Sequence, residues 1–421
     1  MRVLAPVLLA LLLVAPSPVG AEGPAEACAR LAGHPYETGV LAPGIDIEQI
    51  EVTAALSACR AAYAADPASA AAMYRLGRVL QASGEVAEST RFYGRAAAAG
   101  YAMGEVAYSR ALLEGRGIPR NATLSFYWAK RAADQGHLVG QLDASEHYQY
   151  GIGVSYDLDK AVELLEAAAA RGHPNAERRL GDIHHYDQFG RVDYAVAAVH
   201  YQRAIALGSA IAEMAYGELL ICDCEFRDVD RAIALFTSAA GRGVVPAIRY
   251  LGRAYMRGEG VERDDREALR LFEIAEANGD TTSAYYIGQF YLSGLGVAVD
   301  RQQAEKWWRT ATVAGLPEAQ HALGRLYLFN PGPPGRLDDG IIWLERAGAA
   351  GIVEAYWDLF AHFTSIPVND LDRAFHYGQL ASSSADPEVA EQGRAMMATV
   401  LDLKRQRGLE PVSPSPSRAN G

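Results

Sequence analysis

Positive charge is in short supply in this chain. Lys and Arg number 39 against 51 Asp and Glu among 421 residues, a formal net charge of −12 at pH 7. Nucleic-acid phosphates are held by a concentrated basic face, so a dedicated DNA- or RNA-binding role is excluded. Cysteine is scarcer still, at four. That is too few for a disulfide scaffold or for several zinc sites. Beyond residue 14 no apolar run approaches the roughly 20 residues that cross a bilayer. HExxH, GxSxG and a phosphate loop are all missing, and histidines such as His137, His147, His173, His200 and His376 are scattered singly. Catalytic residues, a metal and a cofactor are therefore not expected. What the chain does have is core material: 50% of it is hydrophobic and 21% charged, which excludes general disorder.

The one strongly apolar stretch is N-terminal. Arg2 precedes a run from Val3 to Val14, Pro16 and Pro18 follow, and Val19-Gly20-Ala21 satisfies the small-residue rule for cleavage. Residues 1–21 read as a secretory signal peptide, with the mature chain starting at Glu22. The run is too short for a membrane anchor. The charge in Ala25-Glu26-Ala27 before Cys28 argues against lipid attachment. The Ala- and Arg-rich composition suggests a bacterial protein of high genomic GC content, exported to an oxidising periplasm.

Internal repetition dominates the rest. Ala247 to Val261 and Ser283 to Val297 share one skeleton, Leu/Ile-Gly…Tyr…Gly-x-Gly-Val. Aligned on the Gly of the Leu-Gly pair, equivalent positions fall at Gly77, Ser109, Ser145, Gly181, Gly217, Gly252, Gly288, Gly324 and Phe360, with a period of 35–36 after a first step of 32. A second marker keeps the same period: Gly100, Gly136, Gly172, Gly208, Gly243, Gly279, Gly315 and Gly351. Each unit reads as two helices, A and B. Leu251, Gly252 and Tyr255 lie at helical spacing on A, and Gly258 and Gly260 stop it. Asp264-Asp265 and Asp338-Asp339 fall just before helix B, where negative charge complements a helix N-terminus. One such pair cannot bury its apolar face alone, so the units must stack.

The period, the Leu-Gly…Tyr…Gly-x-Gly-Val string and the Ala-rich second helix resemble the Sel-one-like repeat family, a branch of the tetratricopeptide-like helical repeats. The likeness spans about residues 68–385. It implies an all-α fold, a right-handed α-solenoid of about nine two-helix repeats, used for protein–protein interaction without chemistry of its own. The expected organisation is a signal peptide (1–21), an N-terminal cap (22–66) with one helix over Asp46 to Ala65, the array (67–385), a capping helix (386–405) and a disordered tail (406–421).

Cys28 and Cys59, in the cap, are expected to form a disulfide that ties the irregular stretch around His34-Pro35-Tyr36 and Pro43-Gly44 to the first helix. Cys222-Asp223-Cys224 sits at the end of a helix A. A local disulfide and two packed thiols are both open there. A metal or redox site with His185 and Asp187 is a further alternative. By analogy with tetratricopeptide-like arrays, positions three before, one after and four after the aligned Gly line a concave groove. These give Tyr74, Arg78, Arg110, Arg178 and Asp182 in the first half, and Arg249, Arg253, Met256, Tyr285, Gln289, His321, Arg325 and Trp357 in the second. Arg and aromatic residues are favoured interface anchors. The expected function is a non-catalytic periplasmic scaffold that binds a protein partner of the cell envelope in this groove, in signalling or exopolysaccharide export. Some secreted Cys-rich members of the family are linked to β-lactam hydrolysis. They carry a Cys pair in every repeat, and this chain does not.

Overall fold

In the computed structural model, residues 22–37, 44–222, 225–329, 336–365, 368–407 and 409 are described. Residues 1–21, expected to be a signal peptide, Cys224 and the expected tail from 410 onward lie outside them. Among the described residues there are 21 α-helices and no strand. The chain divides into two compact units, Met1–Ser209 and Ala210–Gly421.

The first unit opens with α1 (Pro24–Ala32) and α2 (Val52–Ala65). Then come four A/B pairs: α3 (Ala70–Ala82) with α4 (Val86–Ala98), α5 (Ala102–Glu114) with α6 (Ala122–Asp134), α7 (Leu138–Tyr150) with α8 (Leu158–Ala169), and α9 (Pro174–His185) with α10 (Tyr194–Ala206). The second unit continues with α11 (Ala210–Leu220) and α12 (Val229–Gly241), α13 (Val245–Arg257) and α14 (Asp265–Ala277), α15 (Thr281–Ser293) and α16 (Arg301–Val313), α17 (Pro317–Phe329) and α18 (Arg336–Ala349), α19 (Glu354–Thr364) and α20 (Leu371–Ser382). α21 (Pro387–Gln406) packs on α20.

The cap differs from the expected single helix. Pro24 at its first position starts α1, where a missing N–H costs nothing. Asp46 to Ala65 is broken into a 3-10 turn, Ile47–Gln49, and α2. The turn packs Ile47 and Ile50 against one cluster with Leu76 and Val79. Asp338 and Asp339 also shift: they lie inside the first turn of α18 rather than before it.

Within a repeat, the aligned glycine lets helix A touch an aromatic ring of helix B. A Cβ on Gly252 would stand 2.8 Å from Phe272, and one on Gly288 would stand 2.5 Å from Trp308. The Gly-x-Gly loop does two jobs. Gly294 ends α15 with φ +71°, and Gly296, at φ +65°, lies so close to the start of α14 that a Cβ would come within 2.9 Å of the Asp265 and Arg266 backbone. Helix B is then capped from its own sequence. Asn121, Asp157, Asp193, Asp228, Asp264 and Asp300 each accept backbone N–H bonds at the N-terminus of α6, α8, α10, α12, α14 and α16.

Candidate interaction surface on the A helices

In the first unit the N-terminal ends of the A helices are covered by the chain itself, while Arg110 stays about half exposed. The chain leaves α1 at Gly33, and Ile45 N–H donates to Gly33 O (2.8 Å) where it returns. Between these points residues 34–37 run along the N-terminal ends of α5, α7 and α9. Glu37 pairs with Arg75 on α3 (2.7 Å) and accepts from the Tyr101 hydroxyl (2.6 Å). The His137 Nε2–H donates to Tyr36 O (2.9 Å). The Tyr36 ring stacks on His173, with centroids 4.9 Å apart, and packs on the cluster of Val106, Ala132 and Val139. Burial and the Glu37 carboxylate push the Tyr101 hydroxyl pKa well up. Burial, with Arg78 nearby, lowers His34 to about 4, and burial alone lowers His173 to about 4.

This covering corrects the place assigned to two groove residues. Tyr74 is 2% exposed and Arg78 3%. The Arg78 guanidinium donates to Ala32 O (2.8 Å) and Ile45 O (2.5 Å), so it fastens the cap rather than waiting for a partner. Arg110 spans to Asp143 on the next A helix (2.8 Å). Arg178 pairs with Asp182, which also accepts from the Tyr201 hydroxyl (2.9 Å). Burial raises the pKa of the Asp182 carboxyl.

In the second unit the A-helix face is more open. Arg249 is engaged, pairing with Asp280 at the start of α15 (3.1 Å) and lying over the Tyr250 ring. Arg253 lies over the same ring, at 5.6 Å. Met256 packs on the Phe272–Phe290 cluster. His321 Nε2 (2.7 Å) and Arg325 (3.3 Å) both reach Asp358 on α19. Beside them lies a concavity of about 550 Å³ lined by Tyr285, Leu292, Trp308, Leu326 and Phe329, with Gln289, His321 and Arg325 among its polar groups. Gln289 Nε2 donates to the Tyr285 hydroxyl (2.7 Å). Phe329 is 53% exposed, Leu292 36% and Trp357 41%. Leu292 and Phe329 line the concavity together, and large apolar groups side by side on a surface are what a partner buries.

Two arrangements with chemical potential are closed off. Ser125 Oγ lies 3.1 Å from His147 Nε2, and the other ring nitrogen of His147 is bonded to Ile152 O (2.6 Å), the geometry of a nucleophile and its base. Ser125 has no exposed surface, however, so no substrate reaches it. Cys222 is disulfide-bonded and therefore supplies no thiolate to a metal set with His185 and Asp187. Among the described residues no group of three or more His, Cys, Asp or Glu is placed to hold a metal. The Cys28–Cys59 disulfide is formed and fully buried. Among the described residues no helix is long and apolar enough to cross a membrane.

Comparison with known proteins bears on these helices directly. The family model described as Sel1 repeat matches residues 97–137, 139–173, 174–209, 210–244, 245–280, 281–312, 317–352 and 354–386. An uncharacterized protein of Neisseria meningitidis serogroup B is 30% identical over 152 residues, 35% of this chain and 31% of the relative. The chitin synthase regulator SKT5 of Saccharomyces cerevisiae is 30% identical over 144 residues, 32% of this chain and 21% of the relative. The chain thus spans less than a third of the length of either relative. A Sel1 repeat protein of Oxalobacter formigenes, solved by crystallography, is 30% identical, with a TM-score of 0.50 over 56% of this chain and 98% of that one. The structure of c5321, a protective antigen of uropathogenic Escherichia coli with an SLR fold, is 22% identical. It superposes with a TM-score of 0.52 over 84% of this chain and 76% of that one, a likeness of fold.

Proposed function

The chain belongs to the Sel1 repeat family, and from that premise we propose that it is a non-catalytic adaptor of the bacterial cell envelope. Sel1 repeat proteins are generally protein-interaction scaffolds. In this reading the A-helix face of the second unit holds a partner protein, in envelope signalling or exopolysaccharide export. The observation that carries it is the concavity beside Tyr285, Leu292 and Phe329, where apolar groups stand open next to polar ones. Support for a periplasmic location comes from the apolar, small-residue pattern of residues 1–21 and from the disulfides at Cys28–Cys59 and Cys222, which persist in oxidising compartments.

The test is crosslinking mass spectrometry on native envelopes, with the full chain tagged at its C-terminus. One recurrent protein should crosslink to α15 and α17 in the wild type and fall at least tenfold in Phe329→Glu. Phe329 is half exposed, so its replacement leaves the core intact. An unchanged partner profile in that variant sinks the assignment of the face. A redox role at Cys222 is the second reading, favoured by its disulfide. Thiol trapping in cells under reducing stress would show Cys222 labelled while Cys28 and Cys59 stay protected.

A further inference from the structure

The segment that covers the first unit's A helices shows how that face reads a peptide. It contributes one aromatic residue and one acid in succession, Tyr36-Glu37, and each meets a separate receptor. The ring inserts between the α5–α7 cluster and His173. The carboxylate meets a cation, Arg75, and a hydroxyl, Tyr101, from two different A helices. The peptide carbonyl between them is read by His137. Cation, donor and apolar slot all come from the repeats, while everything they recognise comes from outside the array.

The segment is also built to leave without unfolding its neighbours. At its base Ile45 N–H donates to Gly33 O, and Gly44 packs so closely on the His34–Pro35 backbone that a Cβ there would clash with Pro35 N. The flanking helices are held independently, α1 to α2 by Cys28–Cys59 and both sides of the base by Arg78. Among the described residues, releasing 34–37 thus costs the contacts of Tyr36 and Glu37 and the packing of Gly44 on Pro35, while the disulfide and Arg78 still hold the flanking helices.

We propose that the first unit's A-helix face is a second protein-binding site. It takes an extended segment carrying an aromatic residue followed by Asp or Glu, and Tyr36-Glu37 occupies it in cis until a partner segment of that chemistry displaces it. The inference rests on the scaffold reading and adds a site distinct from the concavity of the second unit. Because the cis segment is tethered, its effective concentration sets a threshold that a competing segment must exceed.

The experiment uses the full chain and a fluorescein-labelled synthetic peptide, Ala-Gly-His-Pro-Tyr-Glu, read by fluorescence anisotropy. The variant Tyr36→Ser/Glu37→Gln vacates the face while keeping α1, its disulfide and Arg78. It should bind the peptide at least tenfold more tightly than wild type. A peptide with Ser-Gln in place of Tyr-Glu should bind at least tenfold more weakly, and adding Arg75→Ala to the vacated variant should cost a further tenfold. Far-UV circular dichroism confirms that each variant is folded. Should one lose its fold, wild type with excess peptide takes its place, read as protection loss in hydrogen exchange of residues 34–37. Equal binding by wild type and vacated variant, or indifference to the Tyr-Glu pair, overturns the proposal. A scaffold whose partner binds only the second unit still yields envelope crosslinks with no peptide binding, so the two readings fail separately.

Discussion

Replacing Gly252 by Ala tests whether the repeating glycine is there for contact or for flexibility. In an exposed helix interior the change stabilises by about 0.5–1 kcal/mol, because Ala loses less backbone freedom on folding. Here the added Cβ would lie 2.8, 3.0 and 3.1 Å from three atoms of the Phe272 ring. That ring has no room to yield. It is fully buried, stacked on Tyr286 at 4.7 Å and edge-on to Phe290 at 5.7 Å. Overpacking of this kind costs about 1–3 kcal/mol, so the net expectation is a loss of about 1–2 kcal/mol. Gly241, at the end of α12, is the control, because a Cβ there meets nothing within 4 Å. Gly241→Ala should be neutral or stabilising. Guanidinium unfolding followed by far-UV circular dichroism reads both variants. Phe272→Leu in the Gly252→Ala background should recover about 1 kcal/mol relative to the sum of the single changes. If Gly252→Ala is as stable as Gly241→Ala, or the double variant shows no coupling, the contact explanation of the period is wrong.

Acid should loosen the segment at Tyr36. His34 Nδ1 accepts from Tyr36 N–H (3.0 Å), His173 Nδ1 accepts from Asn175 N–H (3.2 Å), and His137 Nδ1 is buried without a partner. A proton on any of the three is opposed. Burial opposes it first at each ring; Arg78, Arg110 and His137 add to this at His34, while at His137 the bond to Tyr36 O and Asp143 favour charge and Arg171 opposes it. With folded pKa values of about 4 at His34 and His173, below the ordinary 6.5, the unfolded chain binds more protons in that interval. Stability is therefore complete above pH 6.5 and falls towards pH 4, by on the order of 2 kcal/mol for His173. Denaturation across that range should show a shallower slope in His173→Gln, and an identical slope refutes the assignment. Reducing Cys28–Cys59, which closes a loop of sequence separation 31, should cost about 3–4 kcal/mol in the first unit. The measurement is unfolding with and without reductant, against Cys28→Ser/Cys59→Ser. Asp264→Ala removes the cap of α14 and should cost about 1 kcal/mol in the same denaturation assay, whereas Asp339→Ala, inside a first turn, should cost a few tenths.

The repeats were legible because they are local. A 36-residue period with glycines at fixed places specifies an A helix, its stop and a B helix without reference to distant residues. A third periodic marker is the Asn/Asp series from Asn121 to Asp300, of which the sequence pattern points only to Asp264. It is a single polar residue per unit among many, and its meaning depends on where helix B starts. The Tyr36 segment was legible only as an irregular stretch. Its partners stand 64 residues away at Tyr101 and 101 away at His137, and no periodicity relates a unique segment to the array it touches. Helix α1 was missed for a related reason. Nine residues, of which Cys28 and Ala32 are buried, are too few to announce a period.

The groove residues went astray through a more general effect. Periodicity located the A-helix positions, but it could not say what their charges face. A repeat array is held by contacts between neighbouring units, and an arginine on one A helix has the next A helix within reach. Arg110 to Asp143, Arg249 to Asp280 and Arg325 to Asp358 are all such stitches. Arg249 and Asp280 are both largely buried, and freeing one partner of such a pair leaves an uncompensated charge, a loss of several kcal/mol. Arg249 therefore cannot be lent to a ligand at low cost, whereas Arg110 and Arg325, about half exposed, are held only by weak surface pairs. Recognition falls first to groups the stitching leaves over. In the first unit these are Arg75 and the N-terminal residues Tyr101, His137 and His173, which the chain's own segment engages. In the second they are the open apolar groups Leu292, Phe329 and Trp357. The two faces thus ask for different partners, an aromatic–acidic segment on one and an apolar side chain on the other. A partner that needed neither would have no reason to prefer this chain over any other array of the same period.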